Sequence, residues 1–301
     1  MRILALTLLI CVLLPLMAGA ELLSYRSFTA DRDAEVIDLG NVTVKSAEGF
    51  IEYLRQFPHL KQADLYATPL SPETIDALTT AFPQVTFGMT MRIGDHLVRT
   101  DATAFSTLHG NSSRHHDEDD FRYLKYCTNL LALDIGHNSV RDVSFLYDLP
   151  DLKVLILACN EITDITPVGS LHQLEYLELF KNDIRDLSCL EACTKLIDLN
   201  VCFNHIEDLT PIAKLSRLER LWVFNSNNWS DEYPVDRKVV AALKENLPNC
   251  RVDSTSYSTL GGWREHDRYY VIFHMFKYGE YIPFQRSQEI RQKYPNGINL
   301  N

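Results

Sequence analysis

The chain has 301 residues, of which 46% are hydrophobic and 23% are charged, and its formal net charge is −11. This composition is that of a globular protein and excludes a disordered or collagen-like chain. The acidic balance argues against broad nucleic-acid binding and against a polybasic membrane-binding surface, because both depend on clustered cations.

The N-terminus has the pattern of a secretory signal. Arg2 precedes an uncharged run from Ile3 to Ala20, and Ala18-Gly19-Ala20 forms a small-x-small cleavage site. The sequence therefore predicts a mature chain that starts at Glu21, is secreted or attached to the cell surface, and has no membrane span. The alternative is an uncleaved anchor, although the run is short for a spanning helix and Pro15 interrupts it.

The region after the signal predicts irregular repeats. Strand-like apolar segments begin near Ile37 and Ala63, and an amphipathic helix follows each of them, at 45–58 and 71–83. Gly94-Asp95 then lies between two alternating runs, which indicates a β-hairpin. We therefore interpret this region as an N-terminal cap.

Regular self-similarity begins further along the chain. Five segments of 22 residues align without gaps, and they start at Leu130, Leu152, Leu174, Leu196 and Leu218. Positions 4, 6, 11, 14, 17 and 20 of the first four segments are apolar or Cys, and their position 9 is Asn138, Asn160, Asn182 and Asn204. Apolar columns that stay in register over four repeats indicate a solenoid in which stacking makes one continuous core.

The spacing of the columns predicts the local structure of each repeat. Positions 4 and 6 are two residues apart, so their side chains lie on one side of a short strand. Positions 14, 17 and 20 recur every three residues, which suits a 3₁₀ or short α segment. An Asp at position 13 can cap that segment, and the Asn at position 9 needs backbone partners in the adjoining turns.

The pattern LxxLxLxxNxIxxLxxLxxL resembles the leucine-rich repeat family in its 22-residue form, and it is similar to the surface-protein repeats of bacterial internalins. The resemblance implies an α/β solenoid: a horseshoe with short parallel strands on the concave face, 3₁₀ or short helices on the convex face, and helical caps. The whole arrangement, including GGWREHDRYY, also resembles secreted repeat proteins of anaerobic gut bacteria.

The tail leaves the 22-residue register. It predicts a helix at 235–250, a short strand at 250–254 and a strongly aromatic helix at 264–284. Two interpretations of the aromatic helix stay open: it packs on the open end of the solenoid, or it binds a partner. The predicted domains are a signal peptide at 1–20, an N-terminal cap at 21–120, the repeat array at 121–227 and a C-terminal helical cap at 228–301.

Candidate chemistry is sparse. The run His115–Asp120 is the one dense cluster of metal-ligand types, and we interpret it as a solvated helix cap, since its residues are contiguous. Cys202 and His205 could suggest a nucleophile and base, but no third orienting group is apparent. The cysteines fall largely on core positions, which favours buried thiols over disulfides. No catalytic residue, metal or cofactor is predicted.

The strand residues that flank the core leucines predict the binding face, because their side chains alternate onto the concave surface. Aromatic and charged residues gather there in repeats three to five, as in interaction hot spots. The predicted ligand-binding residues are Tyr176, Glu178, Phe180, Asp198, Asn200, Phe203, Arg220, Trp222 and Phe224. The predicted function is binding of a protein or glycan ligand. One alternative is that the C-terminal segment covers Trp222 and Phe224, and another is an extracellular enzyme with its site in the caps.

Overall fold

The computed structural model describes residues 21–108, 115–206, 208–224, 236–255, 259 and 262–293. The predicted signal peptide lies outside these residues. They divide into two compact units, one of residues 21–68 and 73–88 and one of residues 69–72 and 89–293. The sequence-based boundaries at 120 and 227 stay predictions. Within the described ranges, no helix is both long and apolar enough to cross a bilayer.

The first unit is built from strands and two helices. Its elements are β1 Leu22–Tyr25, β2 Phe28–Asp31, β3 Val36–Asp38, α1 Ala47–Leu54, and most of β4 Gln62–Leu70 and α2 Pro72–Ala81. The two repeat-like strands pair in parallel with Ile37 opposite Ala63, as their sequence spacing suggests. Ser46 caps α1 by accepting a hydrogen bond from the Gly49 amide.

The second unit begins with the predicted hairpin. β5, Thr86–Ile93, runs into this unit and pairs antiparallel with β6, His96–Arg99. Gly94 has a φ of 53°, which a residue without Cβ adopts freely, and a Cβ there would lie 2.0 Å from the ring of His116. The sequence of the turn and the packing around it therefore both require glycine.

The repeat array forms a parallel sheet of seven strands. In spatial order from the last to the first, the strands are β13 Arg251–Asp253, β12 Arg220–Trp222, β11 Asp198–Asn200, β10 Tyr176–Glu178, β9 Val154–Ile156, β8 Ala132–Asp134 and β7 Ala104–Ser106. Leu155, Leu177 and Leu199 lie opposite one another, so the register follows the 22-residue period. β7 and β13 lie outside that period, so the 22-residue pattern does not predict them as strands of this sheet.

The opposite side of the array carries short helices. A short α-helix, α3 Glu118–Phe121, leads into the first of five 3₁₀ helices. The 3₁₀ helices are Arg122–Tyr126, Ser144–Asp148, Thr166–Ser170, Ser188–Ala192 and Ile212–Lys214. Asp164 precedes one of them and accepts a 2.8 Å hydrogen bond from the Thr166 amide, the capping role expected for position 13.

The Asn column joins neighbouring repeats. Asn160 Nδ2 donates to the carbonyls of Leu157 in its own repeat and Ile135 in the previous one, both at 3.0 Å. Asn160 Oδ1 accepts from the Val140 amide at 3.1 Å. The amide therefore satisfies buried backbone groups of two successive turns, which explains why one residue type recurs at position 9.

Among the described residues, the C-terminal region adds three helices, α4 Arg237–Asn246, α5 Asp267–Tyr278 and α6 Ser287–Lys293, with a 3₁₀ turn at Phe284–Arg286. The aromatic helix α5 lies on the concave face of the repeat sheet. There Val271 and Met275 are fully buried against strand residues at positions 3, 5 and 7 of the repeats. The expectation that it packs on the open end of the solenoid is therefore wrong. Its apolar side chains cover the apolar part of the concave face, which includes Ala132 and Val154.

Candidate functional site

The concave face of repeats three to five is covered by the segment 262–284. Trp263 inserts between Tyr176 and Trp222, with ring centroids 5.5 and 5.6 Å away, and all three side chains are at most 2% exposed. Large aromatic side chains in such contact act as core. The covering segment is therefore an integral part of the repeat core.

A buried network of ion pairs links this segment to the sheet. Asp198 is fully buried and accepts two hydrogen bonds from Arg220, at 2.9 and 2.8 Å, and two from Arg268, both at 2.7 Å. Arg268 also reaches Glu219 at 2.6 Å. Burial by itself raises the pKa of Asp198, but the two guanidinium groups outweigh it and hold that pKa below its ordinary value.

Glu178 connects the same segment to repeat three. Its Oε2 accepts a hydrogen bond from Trp263 Nε1 and another from the Tyr176 hydroxyl, both at 2.9 Å. Burial raises the pKa of Glu178 above its ordinary range. Asn200, which lies on the adjacent strand, accepts from the Cys202 amide at 3.0 Å. The hydrogen bond from Trp263 to Glu178 stabilises the packed segment, and Glu178 and Asn200 are both closed to solvent.

The prediction of an exposed concave site is therefore wrong for six of its nine residues. The buried residues are Tyr176, Glu178, Asp198, Asn200, Arg220 and Trp222. The alternation of the strands did place their side chains on the concave side, but the C-terminal segment covers that side. Phe180, Phe203 and Phe224 are only partly buried, and their rings form a ladder with centroids 5.2 and 5.5 Å apart. That these three contact a ligand stays a prediction.

The candidate nucleophile and base do not form a catalytic pair. Cys202 is buried and its Sγ accepts a hydrogen bond from the Phe224 amide, while burial raises the pKa of the thiol far above its ordinary value. His205 Nε2 instead lies 3.2 Å from Asp183 Oδ1. Because the thiolate is the nucleophilic form, this cysteine is unsuited to attack a substrate. Six free thiols lie in the described residues, from Cys127 to Cys250.

The acidic run before α3 acts as a helix cap. Asp117 accepts a hydrogen bond from the Asp119 amide, and His116 Nδ1 lies 3.1 Å from Asp120 Oδ2. His116 is 1% exposed, so the expectation that the run is solvated is wrong for this residue. Nowhere in the described chain do three or more His, Cys, Asp or Glu residues come together as metal ligands.

A fully buried carboxyl lies further along the concave face. Asp134 Oδ1 accepts from the Gly136 amide at 3.0 Å, and Oδ2 lies 3.2 Å from Ser106 Oγ. Burial, followed by the charge of Glu178, raises the pKa of Asp134 to about 7 from an ordinary 3.8. Between these two values the folded protein binds a proton that the unfolded chain has lost, so raising the pH through this window destabilises the fold.

We expect Asp134→Asn to remove this pH dependence, since an amide can keep both hydrogen bonds without a charge. The parent should lose about 2 kcal/mol of unfolding free energy between pH 5 and pH 8 relative to the variant. Urea unfolding at both pH values measures the difference, and Asp151→Asn, at an exposed position, serves as the control. Parallel pH profiles of parent and Asp134→Asn would contradict the role of this carboxyl.

The second unit also has an open cleft of about 930 Å³. Residues 95–99 and 101–106 line one side, and residues 276–281 at the end of α5 line the other. Leu97 and Tyr278 project from the two sides, and each is 52% exposed. The volume is within the range of ligand-binding clefts.

Comparison with known proteins identifies the array. A family model described as leucine-rich repeats in two copies matches residues 128–170. The array is a leucine-rich repeat solenoid. The prediction made from the 22-residue pattern is thus confirmed. No match to a curated protein was found.

Several solved leucine-rich repeat structures are similar to this chain. Internalin C2 of Listeria monocytogenes is 22% identical, over 66% of this chain and 87% of its own, with a TM-score of 0.37. A leucine-rich repeat protein of Leptospira interrogans is 22% identical, over 67% of this chain and 50% of its own, with a TM-score of 0.40. A second Listeria monocytogenes internalin is 18% identical, over 79% and 88%, with a TM-score of 0.34.

The sequence alone did not reveal the residues that cover the concave face of the leucine-rich repeat sheet. Trp263 and Arg268 lie in the GGWREHDRYY segment, which was noted for its resemblance and not for its contacts. One feature of the sequence does point to the role of Arg268. Repeats four and five place Asp198 opposite Arg220, and a buried carboxylate that pairs with one guanidinium group can accept hydrogen bonds from a second. The partner 70 residues away could not be chosen from the sequence.

Proposed function

We propose that this chain is a secreted binding protein that holds a segment of another protein in the cleft beside β6, β7 and the end of α5. The observation that supports the proposal is the cleft itself, with Leu97 and Tyr278 half exposed on its two sides. Leucine-rich repeat proteins generally mediate protein binding. Export is supported by the signal-like sequence of residues 1–20.

The concave face is a weaker candidate for ligand binding. Displacing the covering segment would leave Asp198 and Glu178 without Arg268 and Trp263, and a buried carboxylate without its partners costs several kcal/mol. A ligand would have to repay that cost before it gained any affinity. The cleft requires no such rearrangement at Leu97, Tyr278 and Glu280, whose side chains are exposed in the folded protein.

Selection from a displayed library of random 12-residue peptides tests the proposal. Enriched peptides should bind the parent and lose at least about tenfold in affinity to Leu97→Asp and to Tyr278→Asp, since a charge opposes apolar contact. Val239→Asp, at an exposed position on α4, is the matched control and should bind as the parent does.

Two outcomes would contradict the proposal. One is that enriched peptides bind both cleft variants as tightly as the parent, with unchanged melting temperatures. The other is that no peptide is enriched, whereas a glycan array gives ligands that the cleft variants lose. The second outcome would assign the cleft to a glycan.

A further inference from the structure

A pair of buried histidines lies where the hairpin meets the start of the repeat array. His96 is on β6 and His116 lies just before α3, and their ring centroids are 5.4 Å apart. His96 is 9% exposed and His116 is 1% exposed. Phe105 of β7 lies 6.2 Å from the His96 ring, and Phe121 of α3 lies 6.1 Å from the His116 ring. The two imidazoles are therefore packed among uncharged aromatic rings and are largely closed to solvent.

The hydrogen bonds of this pair are incomplete. Nε2 of His96 and Nε2 of His116 are both buried, and neither has a hydrogen-bond partner among the described residues. His116 Nδ1 lies 3.1 Å from Asp120 Oδ2, so Nδ1 carries the proton and Nε2 is a bare acceptor. A protonated imidazole is a donor at both nitrogens. The charged form of either ring therefore carries an unpaired N–H into a buried space, which is unfavourable.

The charges around His96 act in both directions. Burial opposes the charged imidazole most strongly, a charge on His116 also opposes it, and the carboxylate of Asp95 in the adjoining turn favours it. The net effect lowers the pKa of His96 below its ordinary 6.5. Asp120 pairs with His116 at Nδ1 and not at the unpartnered Nε2. The docked hairpin therefore binds a proton less readily than a hairpin whose imidazole is in water.

The packing couples this proton to the position of the hairpin turn. His116 is fixed to the first repeat, because its amide donates to Asn138 Oδ1 and its carbonyl accepts from the Ser139 amide, both at 2.9 Å. The His116 ring lies directly on the turn, since a Cβ at Gly94 would be 2.0 Å from it. With His116 anchored, water reaches the two imidazoles when the turn moves away from it.

We propose that the hairpin turn is an acid-sensitive contact, in which protonation of the His96–His116 pair releases Gly94 from the segment before α3. Residues 95–99 of the hairpin line the cleft, so this release loosens one side of the cleft. The released hairpin binds a proton that the docked one excludes, so docking weakens as the pH falls below about 6.5. The release requires no ligand in the cleft.

Amide hydrogen exchange measures the hairpin by itself. A local measurement is needed because Asp134 has the opposite effect, stabilising the whole fold as the pH falls. From pH 7 to pH 5, the protection factors of the Met91 and Val98 amides, which pair across β5 and β6, should fall at least about fivefold in the parent. The Leu179 amide, which donates to Asn200 O at 2.8 Å in the repeat sheet, is the internal reference and should not lose protection.

Variants at His96 identify the titrating group. His96→Gln keeps a polar side chain that does not titrate, and His96→Phe keeps a ring beside Phe105. Both variants should retain at pH 5 the hairpin protection that they have at pH 7. His172→Gln, at an exposed position, is the matched control and should lose hairpin protection as the parent does. Melting temperatures at pH 7 establish which variants are folded, and one folded His96 variant is sufficient.

Three results would overturn the proposal. The first is that Met91 and Val98 keep their protection at pH 5 in the parent. The second is that they lose it equally in a folded His96 variant, which would mean that another group controls the hairpin. The third needs no variant: an NMR titration in which His96 of the parent gains its proton at or above pH 6.5 while the hairpin amides stay protected.

Discussion

Replacing Asp198 by Ala is expected to lower the free energy of unfolding by about 3–5 kcal/mol, because it leaves the guanidinium groups of Arg220 and Arg268 buried without their shared carboxylate. Both arginines are largely closed to solvent, at 6% and 13% side-chain exposure, so water cannot replace the lost partner. Urea unfolding at pH 7 measures the effect.

An exposed pair provides the control for this variant. Asp183 is 56% exposed beside His205, and Asp183→Ala should cost less than about 1 kcal/mol, since surface pairs contribute little. The triple variant Asp198→Leu, Arg220→Met and Arg268→Met should recover much of the lost unfolding free energy, because it buries no charge. A loss below about 1 kcal/mol for Asp198→Ala would show that the network adds little to the stability of the fold.

Trp263→Ala should destabilise the protein by about 3–5 kcal/mol, the usual cost of removing a buried aromatic side chain. The change leaves a cavity between Tyr176 and Trp222, and it removes one of the two hydrogen bonds that Glu178 accepts. Trp263→Phe keeps an aromatic ring but is smaller and loses the indole N–H, so it should cost less, about 1–3 kcal/mol, from lost volume and the lost hydrogen bond to Glu178.

Unfolding in guanidinium chloride and limited proteolysis together test this prediction. The Ala variant should be cleaved faster within residues 262–293 if Trp263 holds the segment on the sheet. Tyr147→Ala, at a side chain that is 55% exposed, should change stability by no more than about 0.5 kcal/mol. Unchanged protease resistance and stability of Trp263→Ala would mean that α5 stays in place without this anchor.

The cleft could not be found in the sequence. Its sides come from residues 95–106 and 276–281, which are far apart in the chain, so no local pattern brings them together. For a related reason β7 was not predicted, and the strand predicted at 250–254, which is β13, was not assigned to the repeat sheet. The pairings Ala104–Ala132 and Leu221–Val252 span 28 and 31 residues, so these two strands do not share the period that marks the others.

The sequence by itself determined the architecture of the array, because each repeat makes the same contacts with its neighbour, and a local period of 22 residues therefore records the Leu columns, the Asn160 type of bridge and the Asp164 type of cap. Only the tertiary structure decided that the C-terminal segment covers the concave face of the array. Trp263 meets Glu178 across 85 residues and Arg268 meets Asp198 across 70. An amphipathic pattern shows that a side chain leaves its strand on the concave side, but whether solvent or another segment covers it depends on packing between distant parts of the chain.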